Sequence, residues 1–122
     1  MTVRPDSPLG HKPWLKVCGL RTPEQASAVA ALGVDAIGVI AVEASPRWLA
    51  PEARPALFAA VHQASSRCLG VLVVADPSDA ELPVLGPAGG HQVLQLHGQE
   101  TPERCLQLRN ALGSDLLLWK AL

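Results

Sequence analysis

Apolar residues gather in five short runs along the chain: Trp14 to Gly19 (WLKVCG), Asp35 to Val42 (DAIGVIAV), Cys68 to Ala75 (CLGVLVVA), Val93 to Gly98 (VLQLHG) and Leu116 to Leu122 (LLLWKAL). Each is rich in Leu or β-branched residues, and none alternates strictly between apolar and polar positions. Strands buried on both faces have this pattern, as in a parallel sheet covered by helices. The stretches between the runs carry helix punctuation. Thr22-Pro23-Glu24-Gln25 supplies an N-cap, a proline at the first helical position and an acidic first turn, ahead of an Ala-rich run to Leu32 and a stop at Gly33. Thr101-Pro102-Glu103-Arg104 repeats that grammar before Leu106, Leu108 and Leu112, with Gly113 beyond. Another helix opens at Ala50-Pro51-Glu52, or at Arg54, because Pro55 must fall near its first turn. A weaker fourth segment starts at Asp76-Pro77-Ser78-Asp79 and ends in Gly86-Pro87-Ala88-Gly89-Gly90.

Strand and helix thus alternate four times and close on a fifth strand, which predicts right-handed crossovers and a parallel α/β sheet. Two architectures fit. A doubly wound open sheet of five strands would be complete within 122 residues, whereas a (β/α)8 barrel needs eight strands and about 250 residues. The pattern alone favours the open sheet.

Composition narrows the class. With 48% hydrophobic and 17% charged residues the chain has the apolar surface to offset ordering entropy, so disorder is excluded. A formal net charge of −1 advertises no surface for nucleic acid or anionic membrane. One Phe, no Tyr and three Trp leave a core built from Leu, Val, Ile and Ala, with little material for stacking on bases. Cys18, Cys68 and Cys105 form neither a disulfide framework nor a zinc spacing, which points to a reducing, cytoplasmic setting. Met1 to Pro13 (MTVRPDSPLGHKP) lacks the apolar stretch of a signal peptide and reads as an arm over 1–13, followed by one domain over 14–122. No run reaches the roughly 18 apolar residues of a membrane span.

Polar residues inside the strand runs are the candidates for chemistry, since a buried strand is destabilised by each of them. Lys16 and Cys18 are two apart, as are Gln95 and His97, so each pair shares a face near the carboxyl end of its strand. Lys120 takes a similar place in the fifth run. Ligands bind at that edge in both candidate architectures. Cys18 ends its strand beside Gly19, and Lys16 on the same face is suited to stabilising a thiolate that acts as base or nucleophile. Arg47, in Ser45-Pro46-Arg47-Trp48, follows the second strand and suits forked recognition of a carboxylate or phosphate. Cys68 and Cys105 read as structural. His11, His62 and His91 show no metal-binding spacing, and neither a Walker loop nor a GxGxxG fingerprint is present.

Lys16-Val17-Cys18-Gly19-Leu20 resembles the opening KxCG(L/I) signature of the phosphoribosylanthranilate isomerase family of tryptophan biosynthesis. Three further segments match in order and spacing: Gly33-Val34-Asp35-Ala36-Ile37-Gly38, Ser45-Pro46-Arg47-Trp48-Leu49 and Gln95-Leu96-His97-Gly98. Trp119-Lys120-Ala121 is similar to the K-A ending of the family's fifth strand. The resemblance covers Trp14 to Leu122 and implies an incomplete TIM (β/α)8 barrel of about five strands and four helices, replacing the open sheet. It also implies a cofactor-independent Amadori rearrangement of N-(5-phosphoribosyl)anthranilate to 1-(2-carboxyphenylamino)-1-deoxyribulose 5-phosphate. By resemblance Cys18 is the general base, Arg47 binds the anthranilate carboxylate, and His97 and Lys16 contribute to substrate binding.

The chain departs from the family pattern after the second strand. Aromatic and lysine residues are common there, where this chain has Val39, Ala41, Glu43 and Ala44, so a different pocket wall is expected. The family's general acid is an aspartate at the end of the sixth strand and its phosphate loops follow the seventh and eighth, and no residue here matches them. Asp115 precedes the fifth strand, on the opposite edge. The expectation is therefore a truncated chain, inactive alone, whose partner is a phosphosugar-anthranilate substrate. The alternative is a non-catalytic half-barrel module that self-associates through an open barrel edge or pairs with a complementary half.

Overall fold

A computed structural model describes residues 14–122; the arm expected over 1–13 lies outside the described residues. The five apolar runs form β1 (Lys16–Cys18), β2 (Ala36–Ile40), β3 (Leu69–Val74), β4 (Val93–Leu96) and β5 (Leu117–Lys120). They pair in parallel in chain order, β1-β2-β3-β4-β5. Three α-helices cover one face: α1 (Pro23–Ala31), α2 (Arg54–Ala64) and α3 (Pro102–Leu112).

Helix starts follow the sequence punctuation. Thr22 and Thr101 each accept a backbone hydrogen bond three residues on, from the N–H of Gln25 and of Arg104, both at 3.1 Å. Both candidate starts of α2 are realised, as a 3-10 turn over Pro51–Ala53 that runs directly into the α-helix at Arg54. The expected fourth helix takes a tighter form, with 3-10 turns over Asp79–Val84 and Pro87–Gly89 between β3 and β4. Pro83 lies inside the longer turn and removes a donor that an α-helix there would need.

Strand alternation sorts the core into two layers. Ile37, Val39, Leu72, Val74, Leu94 and Leu96 point at the helices and pack with Ala26, Ala30, Leu57, Phe58, Val61 and Leu108. Ala36, Val71, Val73 and Val93 form a smaller cluster on the opposite, inner face, with Cys18, Ile40 and Trp119 against it. That inner face is concave. Trp14, just before β1, meets Trp119 of β5 edge to face at a ring separation of 5.5 Å, although β1 and β5 bound opposite edges of the sheet. Neighbouring strands lie about 4.8 Å apart, so four such steps on a flat sheet would hold these rings far from each other. The sheet is wound as part of a barrel, as the resemblance implies. Among the described residues no helix is long and apolar enough to cross a membrane.

Candidate active site

Parallel register aligns the inner side chains in rows, running from the amino to the carboxyl edge. Lys16 pairs with Ala36, Cys18 with Gly38 and Gly38 with Val71; the next row joins Ile40, Val73, Gln95 and Trp119. A cavity of about 520 Å³ opens over these rows. Lys16, Cys18, Gln95 and His97 line it, among apolar walls that include Ile40, Val42 and Val73. Lys16 and Cys18 are half-buried and His97 is exposed.

Gly38 makes the arrangement sterically feasible. A Cβ there would lie 2.5 Å from Cys18 Sγ and 3.2 Å from Lys16 Cε, so the thiol and the lysine stem both use the space that a side chain would fill. Lys16 then rises across the inner face, and its Nζ donates a hydrogen bond to Gln95 Oε1 on β4.

Arg47 does not line the cavity; it packs over Gly19, in the turn that follows Cys18. Gly19 holds φ +90°, a conformation that favours glycine, and a Cβ there would lie 2.6 Å from Arg47 Cδ. The loop bearing Arg47 is pinned at several points. Leu49 N–H donates to Ile40 O at 3.0 Å, Arg47 N–H to Ser45 Oγ at 3.1 Å, and Arg21 Nη1 to Pro46 O at 3.2 Å. The segment from Cys18 to Arg21 and the Arg47 loop are thus held against each other at two contacts, the packing of Gly19 on Arg47 and the Arg21 hydrogen bond.

Two positions that the sequence left open are placed by the structure. Lys120 does not join Lys16 and Cys18. Its register partner is Leu96, on the helix-facing layer, and its Nζ donates to Glu100 Oε1 at 2.7 Å and to Gly98 O at 2.6 Å. The wall after β2 is not formed by Val39, which is fully buried against the helices; Ile40 and Val42 face the cavity instead.

Glu100 is a residue that the sequence pattern did not single out. Its carboxylate is buried beneath the carboxyl edge and also accepts from the N–H groups of Asp76, at 2.8 Å, and Gly98, at 3.0 Å. Burial alone would raise its pKa, but the Lys120 ammonium and the backbone N–H of Asp76 outweigh that and hold the carboxyl below its ordinary value. His91, in the loop before β4, is also buried, with Nε2 donating to Leu85 O at 2.8 Å. Burial holds its pKa below the ordinary histidine value against the opposing pull of that carbonyl, and the Arg54 charge adds to the lowering. Cys68 is buried just before β3; burial raises its thiol, and the charge of Asp35 adds to that.

A family model described as N-(5'-phosphoribosyl)anthranilate (PRA) isomerase matches residues 15–122. Among curated relatives, the chain is 39% identical over 103 residues to N-(5'-phosphoribosyl)anthranilate isomerase of Azorhizobium caulinodans, covering 84% of this chain and 44% of that protein. The corresponding enzyme of Synechococcus elongatus is 41% identical over 108 residues, covering 88% and 49%. Among solved structures, TrpF from Jonesia denitrificans superposes with a TM-score of 0.71 at 32% identity, covering 91% of this chain and 51% of that one. A phosphoribosylanthranilate isomerase in complex with reduced 1-(o-carboxyphenylamino)-1-deoxyribulose 5-phosphate superposes at 0.69 with 23% identity, and shares the fold. The chain spans about half the length of the relatives it matches.

Proposed function

The chain belongs to the N-(5'-phosphoribosyl)anthranilate isomerase family, and from that premise we propose that its described residues form the base-bearing, carboxylate-binding part of an isomerase site. The reaction is the Amadori rearrangement of N-(5-phosphoribosyl)anthranilate to 1-(2-carboxyphenylamino)-1-deoxyribulose 5-phosphate. One observation carries this reading: Cys18 Sγ lines a largely apolar cavity at the carboxyl ends of parallel strands, with a lysine on its own strand and a glycine facing it. A cavity at that edge is where α/β sheets place their reacting groups.

In this proposal the ring-opened substrate is an iminium whose C2 proton is acidified by the adjacent positive nitrogen. Cys18 removes that proton and leaves the enolamine, which tautomerises to the ketose. Arg47, packed over Gly19 next to Cys18, grips the anthranilate carboxylate through its planar fork. His97 and Lys16 complete the wall around the sugar. No cofactor takes part in this scheme. The acid that opens the ribose ring and the groups that hold the phosphate match no position among these residues. The three free cysteines suit a reducing cytoplasm.

The test is an isomerisation assay that follows consumption of the anthranilate-linked substrate. The 122-residue polypeptide by itself turns over at least about a hundredfold more slowly than a full barrel, because each catalytic proton transfer contributes on the order of 10²–10⁴-fold. Joined to a segment that completes the barrel, it turns over, and Cys18→Ser removes most of that activity. Full activity in the completed Cys18→Ser protein would overturn the assignment. Exposed Leu117 on the inner side and half-exposed Trp14 favour a second reading, a half-barrel that associates with another copy, which sedimentation decides.

A further inference from the structure

The contact between Lys16 and Gln95 has no part in the scheme above, yet it spans the interior from β1 to β4. Gln95 lies two inner rows nearer the carboxyl edge than Lys16, so the bond draws the lysine side chain along the barrel wall past Gly38 and Cys18. The partner's chemistry matters as much as its place. A glutamine oxygen accepts a hydrogen bond without carrying charge, so it fixes the ammonium while leaving the cation uncancelled. Among the described residues no carboxylate lines the cavity to cancel it either.

We propose that Gln95 is a positioning residue, which holds the Lys16 cation beside Cys18 so that an anionic group approaching Sγ is favoured over a neutral one. The inference rests on the isomerase reading for the identity of that anion, a substrate bearing a carboxylate and a phosphate. Its test needs no turnover, so the two can fail separately.

Iodoacetate and iodoacetamide alkylate the same thiol and differ chiefly in charge. Their rate ratio at Cys18, assigned by peptide mass because Cys68 and Cys105 are also free thiols, cancels differences in thiol exposure and reactivity. Lys16→Met lowers the iodoacetate preference about fivefold, the effect of one unit charge a few ångströms away in water. Gln95→Glu preserves size and lowers the preference similarly, because its carboxylate cancels the ammonium. Gln95→Leu lowers it less, since the cation remains but is no longer held. A ratio that falls in Lys16→Met yet stays at the wild-type value in both Gln95 variants overturns the role of Gln95. A ratio unchanged in Lys16→Met overturns the whole proposal. Gln95→Glu is nearly isosteric, so an unaltered circular dichroism spectrum in that variant separates a charge effect from lost folding.

Discussion

At the scale of single residues, the candidate site depends on what is missing at position 38. Cys18 and Lys16 alternate onto one face of β1, and they fit there because their register neighbour on β2 has no side chain. Gly38→Ala puts a methyl group 2.5 Å from Cys18 Sγ, too close for any real contact, so the thiol or the strand must shift. The expected destabilisation is about 1–3 kcal/mol, the cost of overpacking a filled interior. It is read from the urea midpoint, together with a slowed alkylation of Cys18. Gly86→Ala is the control: an added Cβ there meets nothing within 4 Å, and the expected change is under about 0.5 kcal/mol. Equal midpoints for the two variants would remove the steric account. That Cys18, Lys16, Gln95 and His97 line one cavity was legible in the sequence, because polar residues two apart in an apolar strand share one face. The role of Gly38 was not, because it depends on which residue of β2 stands opposite Cys18, and register is not encoded in local pattern.

Among elements, the carboxyl ends of β3, β4 and β5 are tied by one buried carboxylate. Glu100 accepts from Asp76 N–H after β3, from Gly98 N–H after β4 and from Lys120 at the end of β5. Asp76 itself takes φ 49° there, a conformation costly for a side-chain-bearing residue, and its carboxylate accepts from Gln99 N–H at 3.0 Å. The folded-state pKa of Glu100 lies below its ordinary value of 4.5, so the folded protein binds fewer protons there than the unfolded chain. Its contribution to stability is therefore fully present above about pH 4.5 and is lost as pH falls through the folded value. His91 acts at a higher pH. Burial lowers it from 6.5, so stability also declines as pH falls below that point and the unfolded histidine takes up a proton first. Glu100→Gln removes the lower-pH step from the stability profile and costs about 1–3 kcal/mol at pH 7, where the buried donors lose a charged acceptor. A Glu100→Gln profile parallel to wild type between pH 5 and 3 would show that another group governs acid unfolding there. Helix boundaries were readable from capping residues, whereas this knot was not. Its members come from three separate strand ends, and the face that Lys120 takes is not readable by alternation, because the last run, LLLWKAL, is apolar on both sides of it.

For the whole molecule, curvature decides how much surface is left open. Chain length and strand count fit a flat, complete sheet, and nothing in local periodicity separates that from a barrel segment. The difference lies in twist and stagger accumulated over five strands. Curvature brings Trp14 against Trp119 and leaves β1 and β5 each paired on one side only among the described residues. An unpaired parallel edge beside apolar side chains is prone to association. Leu117 stands on the inner face of β5 at 53% exposure, and Trp14 is 50% exposed. The 122-residue polypeptide is therefore expected to sediment as a concentration-dependent mixture of monomer and larger species. Leu117→Lys shifts it towards monomer, because a charge on the inner face of an edge strand opposes strand addition and burial alike. Its pairing with Val93 is made by the backbone, so the substitution leaves the sheet's own hydrogen bonds intact. A wild-type chain that remains monomeric from micromolar to near-millimolar concentration would mean that these edges are self-sufficient. The half-barrel reading would then lose its physical basis, while the cavity lined by Cys18, Lys16 and Gln95 would stand unaltered.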